Sequence, residues 1–231
     1  MIGGLFPAEV VTVTAEPRMW DGALYPLYPE EEASLGRVGE KRRRDFTVGR
    51  VAAREALARL GVKRYPLVIG EDRLPAWPPG IVGSLSHTDG FCGVAVARAG
   101  AIVSLGLDVE QATPLSAEIT THICTEAELA WARLRECPSP CGWPKLIFSA
   151  KESLYKCYYP VARRMLGFHD VEMAPGDQEG SLVGRLPAGG SDALGELALM
   201  RGRFAFSDSH VAAGFALTAD EITSSRRSPS R

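Results

Sequence analysis

No charge of one sign prevails in this chain: 26 Lys and Arg stand against 28 Asp and Glu over 231 residues, a formal net charge of -2. That balance gives no bulk attraction to nucleic acid or to an anionic membrane, so any affinity for phosphate has to come from local clusters. Long hydrophobic runs are lacking too. The most apolar stretch, 91–107, is cut by Arg98, Ala99 and Gly100 into two strand-length pieces, which reads as a hairpin and not as a membrane span. Cysteine is sparse and unpaired: Cys92, Cys124, Cys137, Cys141 and Cys157 contain no CxxC spacing, and His122 is the one histidine in the neighbourhood of Cys137 and Cys141. A disulfide framework is therefore not read, and structural zinc has little support. The first residues, MIGGLFPAEVV, carry no positive run, and Pro7 and Glu9 break their apolar stretch, so no secretory signal is read and a cytoplasmic protein is expected. What is present is a globular composition, 45% apolar and 23% charged. It suits a sizeable core and argues against a disordered, collagen-like or coiled-coil chain. Length alone allows one large domain or two small ones.

Residues 1–35 hold Pro and the aromatics Trp20, Tyr25 and Tyr28 with no sustained period, and read as short strands and loops. Further on, Phe46, Ala53, Leu57 and Leu60 recur at helical spacing and Gly61 follows, which predicts an amphipathic helix over 39–60. Its first turns carry Lys41, Arg42, Arg43 and Arg44, with Arg50 and Arg54 beyond. Cations at a helix N-terminus oppose its dipole at a cost of a few tenths of a kcal/mol each, so the run is either a solvated basic face or an anion site.

A Pro-rich loop, 72–80, leads to three predicted strands, 81–86, 91–97 and 102–109, with turn signals between them. In an antiparallel meander the first and third strands run the same way, so His87 comes to the sheet end that also holds Asp108 and Glu110. Those two carboxylates, two positions apart, face one side of an extended chain. Beyond them a short helical piece is read near 115–122, then a helix opened by Thr125 with Glu128 as its capping-box partner. A strong helix runs from Pro144 to about Met165, and Ser149, Glu152 and Lys156 share one of its faces. Residues 171–219 alternate strands with Gly-rich turns and end in a hairpin over 203–217; the tail reads as disordered. HVAAGFAL near the end echoes FCGVAVA earlier, a hint of two similar α+β halves.

Asp108, Glu110 and Glu152 supply the all-oxygen ligand set that Mg²⁺ prefers, with water and substrate phosphate to complete its shell. Taken alone, a carboxylate pair at a strand end, a Lys four residues after a Glu, or a His in a turn is ordinary. Their convergence points to a phosphate-bearing substrate.

GSLSH at 83–87, GLDVE at 106–110 and FSAKESLYK at 148–156 resemble, in order and spacing, the three signature blocks of the 4′-phosphopantetheinyl transferases of the Sfp/EntD superfamily. The basic helix, the P-A-W-P stretch and the LGF after the last helix extend the likeness over residues 38–170, nearest to the EntD-like branch that serves siderophore, polyketide, nonribosomal peptide and mycolate-type pathways. The resemblance implies a Mg²⁺-dependent enzyme that moves the phosphopantetheine arm of coenzyme A onto a serine of an apo acyl or peptidyl carrier domain and releases adenosine 3′,5′-bisphosphate. It implies Asp108, Glu110 and Glu152 as metal ligands and Glu152 also as general base, directly or through water. Lys156 would stabilise the leaving phosphate. His87 stands with them in the catalytic set and, with Ser86, on CoA phosphates, and Arg42 and Arg50 would reach the 3′-phosphate and adenine end. Lys151, about 100° round the helix from Glu152, is expected to make a phosphate or a structural contact. Relatives often place a CoA-gripping basic residue before P-A-W-P; here the positions are Ile69, Gly70, Glu71 and Asp72, and Arg73 is the one cation there.

The fold so implied is a pseudo-twofold pair of α+β halves, 1–108 and 109–219, with the active site in the cleft between them and a disordered tail over 220–231. A monomer is expected, with no nucleic acid or membrane partner. Two other readings stand beside it. One is a non-catalytic CoA or carrier-protein binder. The other is a metal-dependent nuclease, disfavoured because Lys151 precedes Glu152 on a helix and because the net charge is -2.

Overall fold

The computed structural model describes residues 1–16, 26–187, 194 and 197–227, so Trp20 and Tyr25 of the aromatic stretch and the last four residues of the expected tail lie outside the described residues. In chain order, strand β1 (Val11–Ala15) and helix α1 (Pro29–Leu35) precede the long helix α2 (Glu40–Arg59) and strands β2 (Ile81–Thr88), β3 (Phe91–Arg98) and β4 (Ile102–Gln111). Helices α3 (Ala117–Ile123), α4 (Glu126–Arg133) and α5 (Gly142–Ala162) follow, then strands β5 (Glu172–Pro175), β6 (Ser181–Arg185), β7 (Leu199–Phe206) and β8 (His210–Thr218), and helix α6 (Ala219–Arg227). The class is α+β, as expected. Among the described residues no helix is long and apolar enough to cross a membrane.

The strands form two sheets, ordered β1-β3-β2 and β4-β8-β7-β6-β5. Each carries a long helix on one face, because each helix repeats small and aliphatic residues at three- and four-residue spacing. Val48, Ala52, Ala53, Ala56 and Leu57 of α2 pack on Val13, Cys92, Val94 and Val96 of the first sheet. Leu146, Ile147, Ala150, Leu154 and Cys157 of α5 pack on Val211, Ala213, Phe215 and Leu217 of the second. A third cluster, in which Ile2, Leu5 and Phe6 meet Ala95, Ala97, Leu105, Leu107 and Ala212, joins the two sheets.

The expected three-strand meander is corrected. β2 and β3 do form an antiparallel hairpin, but β4 pairs along its length with β8. The reason is that β3 is a central strand whose other edge is taken by β1, so it has no ladder left to offer. β4 nevertheless runs parallel to β2, since the side chains of Ser84 and Ser86 accept the amides of Leu107 and Val109 at 2.9 and 3.1 Å. The placement of His87 with Asp108 and Glu110 therefore survives by a different route.

The capping box at Thr125 and Glu128 is formed, whereas α5 starts two residues before Pro144, which sits in its first turn where no amide is needed. The chain over 219–227 is helical, in contrast to the disorder expected from 220. Two glycines of the motifs answer to close approach. A Cβ on Gly106 would lie 1.8 Å from the Ser153 carbonyl oxygen of α5, and one on Gly83 would lie 2.7 Å from the ring of Trp77 in the P-A-W-P loop. Among the described residues the non-glycine positions with positive φ are Asp72, Arg73 and Arg163, a region that costs an L-residue roughly 1–2 kcal/mol.

Candidate active site

A large pocket, about 1180 Å³, is walled by α2, the 69–77 loop and β2 on one side and by β4 and α5 on the other. Into it come Arg42, Arg50, Arg73, Ser86, His87, Asp108, Glu110, Glu152 and Lys156. Nearly every residue singled out from the sequence is thus brought to one place.

Asp108 is the hub. It is 4% exposed, and its Oδ1 accepts from Lys156 Nζ at 2.7 Å and from the Ser86 hydroxyl at 3.2 Å. Lys156 also donates to the Leu107 carbonyl at 3.3 Å. The second carboxylate oxygen of Asp108, Oδ2, is buried without a hydrogen-bond partner. A buried carboxylate oxygen left bare is costly and rare in folded proteins, and it marks a place where a cation would be stabilised.

The two neighbouring carboxylates register the same excess of negative charge. Burial pushes the pKa of Glu152 up, and the charges of Asp108 and Glu110 push it further, against the pull of Lys156. Burial and Asp108 likewise raise Glu110, while Lys145 opposes them with a hydrogen bond to Oε2 at 3.2 Å. Among the described residues no three His, Cys, Asp or Glu side chains stand as a ready-made metal cage. Asp108, Glu110 and Glu152 are near enough to repel but not closed round a point, and one oxygen of Asp108 is held by Lys156. The bare Oδ2 and the all-oxygen donors still fit a hard divalent cation.

The basic wall has two parts. Arg43 and Arg54 are tied to α1 through Glu32 and Glu31, so that portion of the cationic run is structural. Arg42 and Arg50 turn to the pocket. Arg50 is buried, donates through Nε to the Leu67 carbonyl at 2.6 Å and lies 3.8 Å over the Phe46 ring. Burial brings its pKa down to about 10, so it keeps its charge at neutral pH. Arg42 Nη1 stands 3.5 Å from His87 Nε2. Burial, then the Arg42 charge, lower the pKa of His87 and favour a neutral ring.

Lys151 is a correction. As a CoA ligand it would have to reach the pocket; instead its three N–H groups donate to Ile123 O, Glu128 Oε2 and Phe168 O at 2.9, 2.8 and 2.6 Å, in a site where it is 4% exposed. Glu128 also accepts the Met173 amide at 2.6 Å. The pair fastens α3, α4 and the chain before β5 to the far side of α5. Lys145 was the residue missed: it precedes Ser149 by four and Glu152 by seven, so the same helical face already held the signal. All five cysteines are free, and burial pushes Cys92, Cys124 and Cys157 up to about 12.

Residues 30–97 match the family described as "4'-phosphopantetheinyl transferase N-terminal domain", and residues 104–199 the "4'-phosphopantetheinyl transferase superfamily". Among characterised proteins the chain is similar to 4′-phosphopantetheinyl transferase Svp of Streptomyces mobaraensis, 38% identical over 221 residues that cover 95% of this chain and 90% of that one. It is 35% identical over 226 residues to 4′-phosphopantetheinyl transferase PptT of Mycobacterium tuberculosis, covering 95% and 96% of the two chains. Similarity to enterobactin synthase component D of Escherichia coli K12 is 37% over 133 residues, 56% of this chain and 61% of that one.

Proposed function

This chain belongs to the 4′-phosphopantetheinyl transferase superfamily and phosphopantetheinylates carrier proteins, and on that premise we propose how its pocket does so. CoA lies in the large pocket with its phosphates between the basic wall and the carboxylates. Arg42 and Arg50 take the 3′-phosphate and adenine end, and Ser86 and neutral His87 hydrogen-bond the phosphates. Arg73 is the further cation on that wall.

Asp108, Glu110 and Glu152 would hold Mg²⁺, which supplies Lewis-acid polarisation of the pyrophosphate. Glu152 takes the proton from the carrier serine, directly or through a water; its raised pKa brings it closer to the working range of a general base. The serine Oγ forms a bond to the phosphorus that bears the pantetheine, and the bond from that phosphorus to the bridging oxygen breaks. The leaving adenosine 3′,5′-bisphosphate takes the electron pair, and Lys156 stabilises the charge on it. The observation that carries this reading is the bare, buried Oδ2 of Asp108 within a cluster of three mutually repelling carboxylates. Lys156, which donates to Asp108 in the free protein, would give up that partner for a CoA phosphate.

The reading extends to architecture. Two α+β halves related by a pseudo-twofold, each a long helix on an antiparallel sheet, would meet at β2 and β4. The protein would act as a cytoplasmic monomer on apo acyl or peptidyl carrier domains, without nucleic acid or membrane.

Incubation with an apo carrier protein, CoA and Mg²⁺ should add the mass of one phosphopantetheine arm to the carrier. EDTA and Glu152→Ala should each abolish the gain. Retained CoA binding with no gain on several carriers would replace the enzyme by a binding module.

A further inference from the structure

Asp72 makes a bridge that the transfer chemistry does not call for. Its Oδ2 accepts from the Tyr159 hydroxyl at 3.0 Å and from Arg163 Nη1 at 3.1 Å. The tip of the 3₁₀ turn Glu71–Arg73 is thereby tied to the C-terminal end of α5. The turn is a closed unit, with the Gly70 amide on the Leu74 carbonyl at 2.7 Å and the Leu74 amide on the Glu71 carbonyl at 3.0 Å. Glu71, Arg73 and Leu74 on one side of the bridge, and Pro160, Val161 and Arg163 on the other, line the large pocket. The bridge therefore fastens one pocket wall to the opposite one.

Two independent features suit this contact to opening. The side chains of Arg163 and Asp72 are 55% and 49% exposed, a setting in which an ion pair is weak and sensitive to salt. The described non-glycine residues with positive φ, Asp72, Arg73 and Arg163, all belong to the bridge or adjoin it, so the backbone is held in a disfavoured region on both sides of the same contact. A weak, exposed contact between two chain segments of this kind is one that local fluctuation can open.

We propose that Asp72 is a positioning residue: through Tyr159 and Arg163 it latches the 71–73 turn over the pocket, and opening of this latch sets the rate at which CoA enters and the nucleotide product leaves. The inference rests on the reading that the pocket takes CoA. A latch formed equally with and without ligand scales entry and exit by one factor and leaves the affinity unchanged.

The test follows a fluorophore-tagged CoA in Mg²⁺ by stopped flow, binding to the protein and then chased off by unlabelled CoA. Asp72→Ala and Tyr159→Phe, neither of which changes a pocket-lining residue, should each raise the association and dissociation rates together by about two- to fivefold, the opening factor that an exposed ion pair or hydrogen bond controls, with Kd within about twofold. The exchanged pair, Asp72→Arg with Arg163→Asp, should return both rates to those of the wild type. Added salt should speed exchange in the wild type more than in Asp72→Ala. Rates unchanged in both single variants would overturn the latch. So would a Kd shift carried by dissociation alone and not restored by the exchanged pair, since that would make these side chains direct ligand contacts. Failure of the wild type to bind tagged CoA would instead strike the functional reading, and it shows in the first trace.

Discussion

Glu152 and Glu110 carry pKa values raised by burial and by Asp108, and this has a consequence for the protein without metal. A carboxyl raised in the fold binds its proton more tightly there than in the unfolded chain. It therefore favours folding while protonated, and that contribution is lost as pH rises from the ordinary carboxylate value through the raised folded value. Glu152→Gln should raise the Tm of the metal-free protein at neutral pH by about 1–3 °C, the scale of a sub-kcal/mol change in a chain of this size. The difference should vanish towards pH 4 in a melting series; an unchanged difference across pH would mean that the charge on Glu152 is not the cause. Lys151, one residue away, should behave in the opposite sense. Lys151→Met leaves Glu128 buried without its cation and should cost about 3 kcal/mol or more in urea unfolding, while CoA affinity of the folded variant stays that of the wild type. A selective loss of CoA affinity would restore Lys151 to the pocket. The azimuth of Lys151 away from Glu152 was legible in the sequence. Its destination was not, because Ile123, Glu128 and Phe168 come from separate segments whose convergence is tertiary.

Helix α5 and strand β4 leave no room for a side chain where Gly106 meets Ser153 and Cys157. Gly106→Ala drives a methyl group into backbone, which cannot rotate away, and should destabilise by about 3 kcal/mol. It should also cut transfer activity in the fraction that folds, since Asp108 follows two residues later on the same strand. Denaturant titration with an activity assay at matched folded fraction checks both; a neutral Gly106→Ala would mean that the strand and helix have slack. The two long helices, α2 and α5, were readable from their 3.6-residue periodicity and the β2–β3 hairpin from its Asp-Gly turn. By contrast, α1 lies in a stretch read as short strands and loops, because seven residues are too few to show a period, and α6 lies in the expected tail. The partner of β4 was not readable. An apolar strand carries no label for its neighbour, and the short β1, which takes the edge of β3, gave no sustained period of its own.

For the whole molecule, the third core cluster draws on Ile2, Leu5 and Phe6 at the N-terminus and on Ala212 near the C-terminus, so neither sheet closes its core alone. A division at 108/109 would fall inside β4 and sever its ladder with β8. Expressed apart even at the gentler boundary, 1–99 and 100–231 should each lack a cooperative thermal transition. Two soluble fragments that each melt cooperatively would show the halves to be independent. The internal echo in the sequence hinted at two like units, yet it held no information on the surface that joins them.

That surface is sewn by side chains. The amides of Leu107 and Val109 end on the hydroxyls of Ser84 and Ser86. In deuterated buffer these two amides are protected only while β2 and β4 lie together, so their exchange reports directly on parting of the sheets. If the molecule opens along this line, Leu107 and Val109 should take up deuterium in step with each other and ahead of the β7–β8 amides, a clock for the motion that needs no attached probe.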